Sequence, residues 1–348
     1  MTKDKTKTPP VDFGPVEFDD FDTKLFQGRH HARYFEPEMV YHVISRVFQG
    51  RYLLRPSEKL NDVINGVIGR ARQNWPNVEF FAHAFMSNHV HLMLRGNPFE
   101  VVSFIGFTKR EISRRCSPIA KWPRGAFWDA TYFATALTTA ESQEHCLKYI
   151  LSQGVKEGLV DDPVEWPGVH CAKQLFAKEQ VFGEWFDGTG YGKAKYREKR
   201  KAKKKRKKIK RAEYIRRYEV ALDTLPVWLG LSDARREQRL TQMRREIIEE
   251  GRKRGKKSVG AEAVMKTPRS TRGELPKLPW FEERRRMVFW GSRKTTETKD
   301  YVQRYWAFQK SFRLASDAYL AGNLAVEFPE GSFRPSSFVV AMPDLLVA

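Results

Sequence analysis

Up to Gln153 the chain reads strand, helix, strand, strand, helix, extended segment, helix. That order predicts an α+β domain, a ferredoxin-like split βαβ fold in which an antiparallel sheet carries helices. Two observations weigh most. Residues 78–95, VEFFAHAFMSNHVHLMLR, read as two apolar strands closed by a turn at Met86-Ser87-Asn88, where Ser and Asn are turn formers. Residues 57–73 and 98–116 carry apolar side chains at helical spacing, the pattern of a helix with one buried face. Beyond residue 218, charged segments with narrow apolar stripes predict a mostly helical C-terminal extension.

The first strand is read over residues 39–48, MVYHVISRVF. Alternation puts Tyr41, Val43, Ser45 and Val47 on one face and His42, Ile44 and Arg46 on the other. Pro56-Ser57-Glu58 opens the first helix, whose stripe is Leu60, Val63, Ile64, Val67, Ile68 and Ala71, and Pro76 helps to end it. The helix over 98–116 has Val101, Val102, Ile105 and Ile112 on its apolar side. Its basic face of Lys109, Arg110, Arg114 and Arg115 is either solvated or set against phosphates. Residues 126–133, AFWDATYF, read as a short aromatic strand or extended segment. A capping-box-like start at Thr138-Thr139-Ala140-Glu141 leads into a helix over 142–153, with Gly154 as its C-cap. In the extension, helices are expected over 232–251, with Leu240, Met243 and Ile247 as a stripe, and over 296–321. The second has Tyr301, Tyr305, Phe308, Phe312, Ala315 and Tyr319 as a packing stripe. The expected organisation is a loose arm to residue 28, a domain over 29–185, a basic linker or helix over 193–217, the helical extension over 218–325 and an irregular tail.

A net charge of +21 on 348 residues favours an anionic partner, most often nucleic acid. Two thirds of that charge sits in residues 193–217, where sixteen residues are Lys or Arg and two are Glu. Lys203, Lys204, Lys205, Arg206, Lys207 and Lys208 form an unbroken run. As a solvated linker the run repels itself; phosphates would neutralise it and release counterions. Arg29 and Arg33 make a smaller patch, and with Arg46 they complete the candidate DNA contacts. No long apolar span or secretory leader is legible, so no membrane role is expected. Cys116, Cys146 and Cys171 make neither a disulfide framework nor a C-x-x-C pair, which predicts a reducing cytoplasm.

The chemistry-bearing residues lie in the centre of this plan. His89 and His91 share one face of their strand, opposite Val90 and Leu92. Two imidazoles so placed can grip one cation, Mn²⁺-like and softer metals by preference, whereas Mg²⁺ is usually met by oxygen. The same pair also suits an ordinary half-buried strand. On the helix over 142–153, Tyr149 and Gln153 stand one turn apart on one face. A phenol can attack phosphorus and stay joined to it, and an amide oxygen can share the histidines' ion. A buried aromatic and a polar residue near a helix end are the alternatives.

These blocks carry a resemblance. Residues 85–94, FMSNHVHLML, resemble the HUH motif of the single-tyrosine, IS200-like transposases. Residues 41–46, YHVISR, resemble the first strand of the REP-associated tyrosine transposases. Residues 125–129, GAFWD, resemble their G-x-hydrophobic-W segment, and 147–160, LKYILSQGVKEGLV, their tyrosine helix. The resemblance covers about residues 29–185. It implies a single-stranded DNA endonuclease and strand transferase acting at hairpins through a 5′-phosphotyrosine. His89, His91 and Gln153 would hold Mg²⁺ or Mn²⁺, and Tyr149 would be the nucleophile. It also implies a bacterial, nucleoid-associated protein acting as monomer or homodimer. The sequence departs from the pattern in two places. Gln153-Gly154 stands for the usual Asn-Pro, and Val47-Phe48-Gln49-Gly50 lacks the usual Gly-Asn-Arg character. A DNA-hairpin-binding regulator without chemistry, built on the same fold, is the rival reading. An RNA-binding protein using the basic run is a third.

Overall fold

The computed structural model describes residues 31–123, 125–129, 132–201, 207–255, 257–273, 289–291 and 295–333. Expectations for residues 1–28, Arg29, Lys203, Lys204, Lys205 and Arg206 and for the tail beyond 333 fall outside the described residues.

A five-stranded sheet, in the order β2-β3-β1-β4-β7, forms the centre. Its strands are β1 (Val40–Arg46), β2 (Glu79–Phe85), β3 (His89–Arg95), β4 (Phe133–Leu137) and the two-residue β7 (Phe289–Trp290). The first four pair antiparallel, and β7 adds in parallel at the outer edge of β4. Helix α1 (Glu58–Asn74) joins β1 to β2, α2 (Pro98–Ile119) joins β3 to β4, and α3 (Ala140–Leu151) follows β4. Alternation along the strands sorts side chains onto two cores. Val43, Val90 and Leu92 pack with α1 and α2 on one face, while Val40, Met93 and Leu137 pack with α3 on the other. The apolar positions read at helical spacing, such as Leu60, Ile64 and Val67, are fully buried, so burial of those stripes is what holds the layers.

Two local boundaries differ from the sequence reading. The segment read over 126–133 as a short strand or extended piece meets the regular strand only at its end, since β4 runs over Phe133–Leu137. Trp128 makes only an isolated bridge to Val47, and its indole N–H donates to the carbonyl of Lys109 at 3.0 Å. The ladder with β1 runs from Val40↔Leu137 to Ile44↔Phe133, so pairing overrides the aromatic β-propensity of the preceding segment. The third helix ends at Leu151 rather than at Gln153. Its start is a true capping box, in which Thr139 and Ser142 satisfy each other's backbone N–H groups.

The remaining elements wrap this centre. Helix α4 (Ala172–Ala177) precedes a two-stranded ribbon of β5 (Phe182–Phe186) and β6 (Ile215–Glu219). Between them lies α5 (Gly188–Lys199), which buries none of its residues. The ribbon lies on α1 through glycines: a Cβ on Gly183 would stand 2.0 Å from the Gly66 nitrogen, so backbone meets backbone there. The extension is largely helical, with α6 (Asp233–Arg252), the short α7 (Ala261–Lys266) and α8 (Thr296–Leu320). On α8, Tyr301, Tyr305, Phe308 and Ala315 of the expected stripe are buried, and Phe312 and Tyr319 pack on Phe328. Among the described residues, no helix is long and apolar enough to cross a membrane.

Candidate functional site

Register and alternation build the site. β1 and β3 pair with Ile44↔His91 and Arg46↔His89, which sets His42 diagonally across from His91 on the α3 face of the sheet. The His42 Nε2 and His91 Nδ1 atoms are 2.9 Å apart, a buried hydrogen bond between rings stacked at 5.1 Å. The other ring nitrogen of His91, Nε2, is buried without a partner among the described residues. Such an atom forfeits a hydrogen bond unless something binds it.

His89 stands beside this pair, its ring 4.8 Å from that of His91. Its Nδ1 faces the side-chain oxygen of Asn88 at 2.7 Å. An amide oxygen only accepts, so His89 carries its proton on Nδ1 and presents a lone pair on Nε2. Gln153 is buried beyond the last turn of α3, and its amide nitrogen donates to the carbonyl of Tyr149 at 3.1 Å. Its side chain is also a hydrogen-bond partner of His89. The reading of one face shared by Tyr149 and Gln153 therefore holds in space although the helix stops short.

Burial sets the protonation of the cluster. It pushes His42 down to about 4. It pushes His89 down to about 4 as well, against the Gln153 hydrogen bond and with help from the charges of Arg46 and Lys156. Burial, with the neighbouring histidines and Lys156, holds His91 well below its ordinary value. All three are neutral at pH 7, the state in which imidazole donates a lone pair to a metal. The His42–His91 pair is consistent with a divalent-metal site. Among the described residues no group of three or more His, Cys, Asp or Glu side chains is placed to hold an ion.

Tyr149 is half-buried and lies across the cluster. Its ring centre is 5.6 Å from that of His91, 5.9 Å from that of His42 and 5.8 Å from that of Trp290. The Lys156 Nζ sits 4.4 Å from the ring centre on the exposed side. The loop after α3 is held from several sides. Gly154 takes φ +88°, a conformation natural to glycine. The indole of Trp166 donates to the carbonyl of Phe85 at 3.1 Å, and His170 Nε2 lies 3.2 Å from the carbonyl of Ile150.

The remaining candidate residues divide. Arg46 is exposed beside His89. Lys109 is drawn inward, its Nζ 2.7 Å from the Ser45 hydroxyl and over the Trp128 ring; burial and Arg33 push it down to about 8. Arg115 stacks 3.6 Å over Trp185, pairs with Glu111 and donates to the carbonyl of Phe186, so it ties the ribbon to α2. Arg110 and Arg114 stay at the surface near Glu111, and Arg33 covers the ring of Tyr132. Lys109, Arg110, Arg114 and Arg115 all lie on α2, on the face of the sheet away from the histidines. Lys207 and Lys208 are exposed.

Three residues of the cluster escaped the sequence reading of chemistry. His42 shares its strand face with Arg46, and that alternation is its one local signal. Lys156 lies within the tyrosine block. Trp290 comes from the extension and carries no local signal at all.

The family model described as "Transposase IS200 like" matches residues 37–153, the span from the start of β1 to Gln153. Residues 37–153 are an IS200-like single-tyrosine HUH transposase domain. An additional C-terminal region follows this transposase domain. Among solved structures, a REP-associated tyrosine transposase bound to a REP hairpin is 17% identical with a TM-score of 0.36, over 43% of this chain and 86% of that one. A transposase from Deinococcus radiodurans R1 is 20% identical with a TM-score of 0.25, over 36% of this chain and 98% of that one. Neither likeness bears on the site of the transposase domain. No curated protein matches the chain.

Proposed function

We propose that the protein is a divalent-metal-dependent single-stranded DNA endonuclease and strand transferase, acting at hairpin-containing DNA with Tyr149 as nucleophile. The observation that carries this reading is the buried, unpartnered Nε2 of His91 in a cluster that also holds Tyr149. The antiparallel order β2-β3-β1-β4 supports the ferredoxin-like HUH form of the domain. The hairpin substrate rests on the sequence resemblance.

The residues fit a metal. His91 Nε2, which has no partner among the described residues, and His89 Nε2 are the imidazole donors, and the Gln153 side chain, a hydrogen-bond partner of His89, supplies the third through its oxygen. Imidazole donors suit Mn²⁺, and the amide oxygen suits Mg²⁺. The chemistry an ion would supply there is polarisation of the scissile phosphate. Asn88 holds the Nδ1 side of His89 and so fixes which nitrogen that ring presents, and His42 holds the Nδ1 side of His91 and orients its ring.

Tyr149 attacks phosphorus through its phenol oxygen. The bond to the 3′ oxygen breaks, and the 5′ side of the strand remains on the tyrosine. Overall one proton passes from the phenol to the departing 3′ oxygen. Attack by another 3′-OH reverses the step and rejoins strands. Lys156, above the Tyr149 ring, places positive charge where the phosphate arrives. The protein works in the cytoplasm, as monomer or homodimer.

A covalent-adduct gel tests the proposal. Wild type and Tyr149→Phe are incubated with labelled single-stranded hairpins, with Mn²⁺ or with chelator. A metal-dependent adduct in wild type alone is expected. Tight binding with no adduct would replace the enzyme by a DNA-binding regulator.

A further inference from the structure

Helix α6 belongs to the additional region, yet it is built against the tyrosine helix. Its Met243 and Ile247 are buried in the core that holds Leu147, Ile150 and Leu151. Lys148 of α3 is paired at 2.8 Å with both Glu246 and Glu250. Just past the end of α6, Arg254 donates to the carbonyl of Lys156 at 2.7 Å and to that of Gly251 at 3.1 Å. The two helices enclose a cleft of about 440 Å³ in which Tyr149, Lys148 and Lys156 face Ile247, Glu250 and Arg254. That volume is within the ~300–1,000 Å³ range of small-ligand sites.

Charge within the cleft is uneven. Lys148 is outweighed by its two glutamates. Lys156 and Arg254 have no carboxylate in ion-pair range among the described residues, and both are exposed. Arg254 spends its hydrogen bonds on neutral carbonyls, which fixes the guanidinium without cancelling its charge. The cleft thus has a cationic end, and that end is at Tyr149. Tyr149 is its shared wall with the histidine cluster.

We propose that this cleft seats the DNA strand joined to Tyr149, its phosphates held by Lys156 and Arg254. The proposal rests on the strand-cutting reading above and gives the additional region a role in it. A strand that stays on the tyrosine must leave it along some surface. The cleft offers a cationic surface continuous with the nucleophile. Phosphate contacts of this kind fix position and carry no sequence information.

The test is binding of a labelled short oligothymidine to the full-length protein across a salt series, in chelator so that nothing is cut. Each single-strand phosphate contact contributes roughly 0.7 to the slope of log affinity against log salt. The double variant Lys156→Ala/Arg254→Ala is expected to lower that slope by about 1.4 and to weaken binding at low salt. Because Arg254 also braces the Lys156 loop, a gain-of-charge pair accompanies it. Glu250→Lys, at the cleft, should raise the slope by about 0.7. Glu237→Lys, on the same helix but paired outward with Lys178, should leave it near wild type. An unchanged slope in the double variant, or equal gains in the two lysine variants, would overturn the proposal. The readout needs no cleavage. A wild type that binds in this pattern but forms no adduct counts against cutting, whereas a wild-type adduct with an unmoved slope counts against the cleft alone.

Discussion

His83 makes the stability of this protein depend on acid, and the size of the effect can be worked out. Its side chain is fully buried on β2, stacked on Phe80 at 5.4 Å, and neither ring nitrogen has a partner among the described residues. Burial, with some contribution from His170, pushes it from 6.5 down to about 3. The sign follows from where protons bind. Below 6.5 the unfolded chain takes a proton that the folded chain refuses until about pH 3, so stability is complete above 6.5 and falls as pH is lowered. By pH 5 the loss from this residue is about 2 kcal/mol, at 1.36 kcal/mol per pH unit. His83→Leu removes that share and replaces an unpartnered polar ring by an apolar group. The substitution should be neutral to stabilising at pH 7, and at pH 5 its advantage over wild type should grow by about 2 kcal/mol. Urea unfolding followed by tryptophan fluorescence at pH 7, 6 and 5 measures both. Wild type and variant losing stability in parallel would refute the reasoning.

Other expectations follow from single contacts. His42→Phe removes the hydrogen-bond partner of His91 Nδ1 and should weaken Mn²⁺ binding by roughly 10–100-fold in a direct metal titration, while Tyr149→Phe leaves that titration unchanged. Ile247→Ala opens a cavity under the tyrosine helix and should cost about 2–5 kcal/mol in chemical unfolding; a loss below that range would mean α6 is not packed as described. Gly183→Ala puts a methyl 2.0 Å from the Gly66 nitrogen. It should cost about 1–3 kcal/mol and expose the ribbon to limited proteolysis ahead of the core.

The helices and strands of the transposase domain, and α8 beyond it, were legible because their signal is local. Stripes such as Leu60, Ile64 and Val67, or Tyr301, Tyr305 and Phe308, report burial through spacing of three and four. His89 and His91 report a shared face through spacing of two. The contact of the Gln153 amide with the Tyr149 carbonyl has the same local origin, since four residues make one turn. Where competing local signals met, the reading slipped. AFWDATYF has the composition of a strand, but the β1 ladder recruits the residues after it. The basic face of α2 read as solvated or set against phosphates, but Arg115 and Lys109 are drawn inward by Trp185 and Ser45.

The sequence by itself determined the order of elements, the two-sided sheet, and the histidines and tyrosine that carry the candidate chemistry. Each is encoded within a few residues of itself, because backbone periodicity converts spacing into a common face. Tertiary structure alone decided that His42 supports His91 across 49 positions, that Trp290 joins Tyr149, and that α6 closes a cleft beside Tyr149. Those contacts join segments far apart in the chain, and no local pattern marks two distant side chains as partners until the packing of the core brings them together.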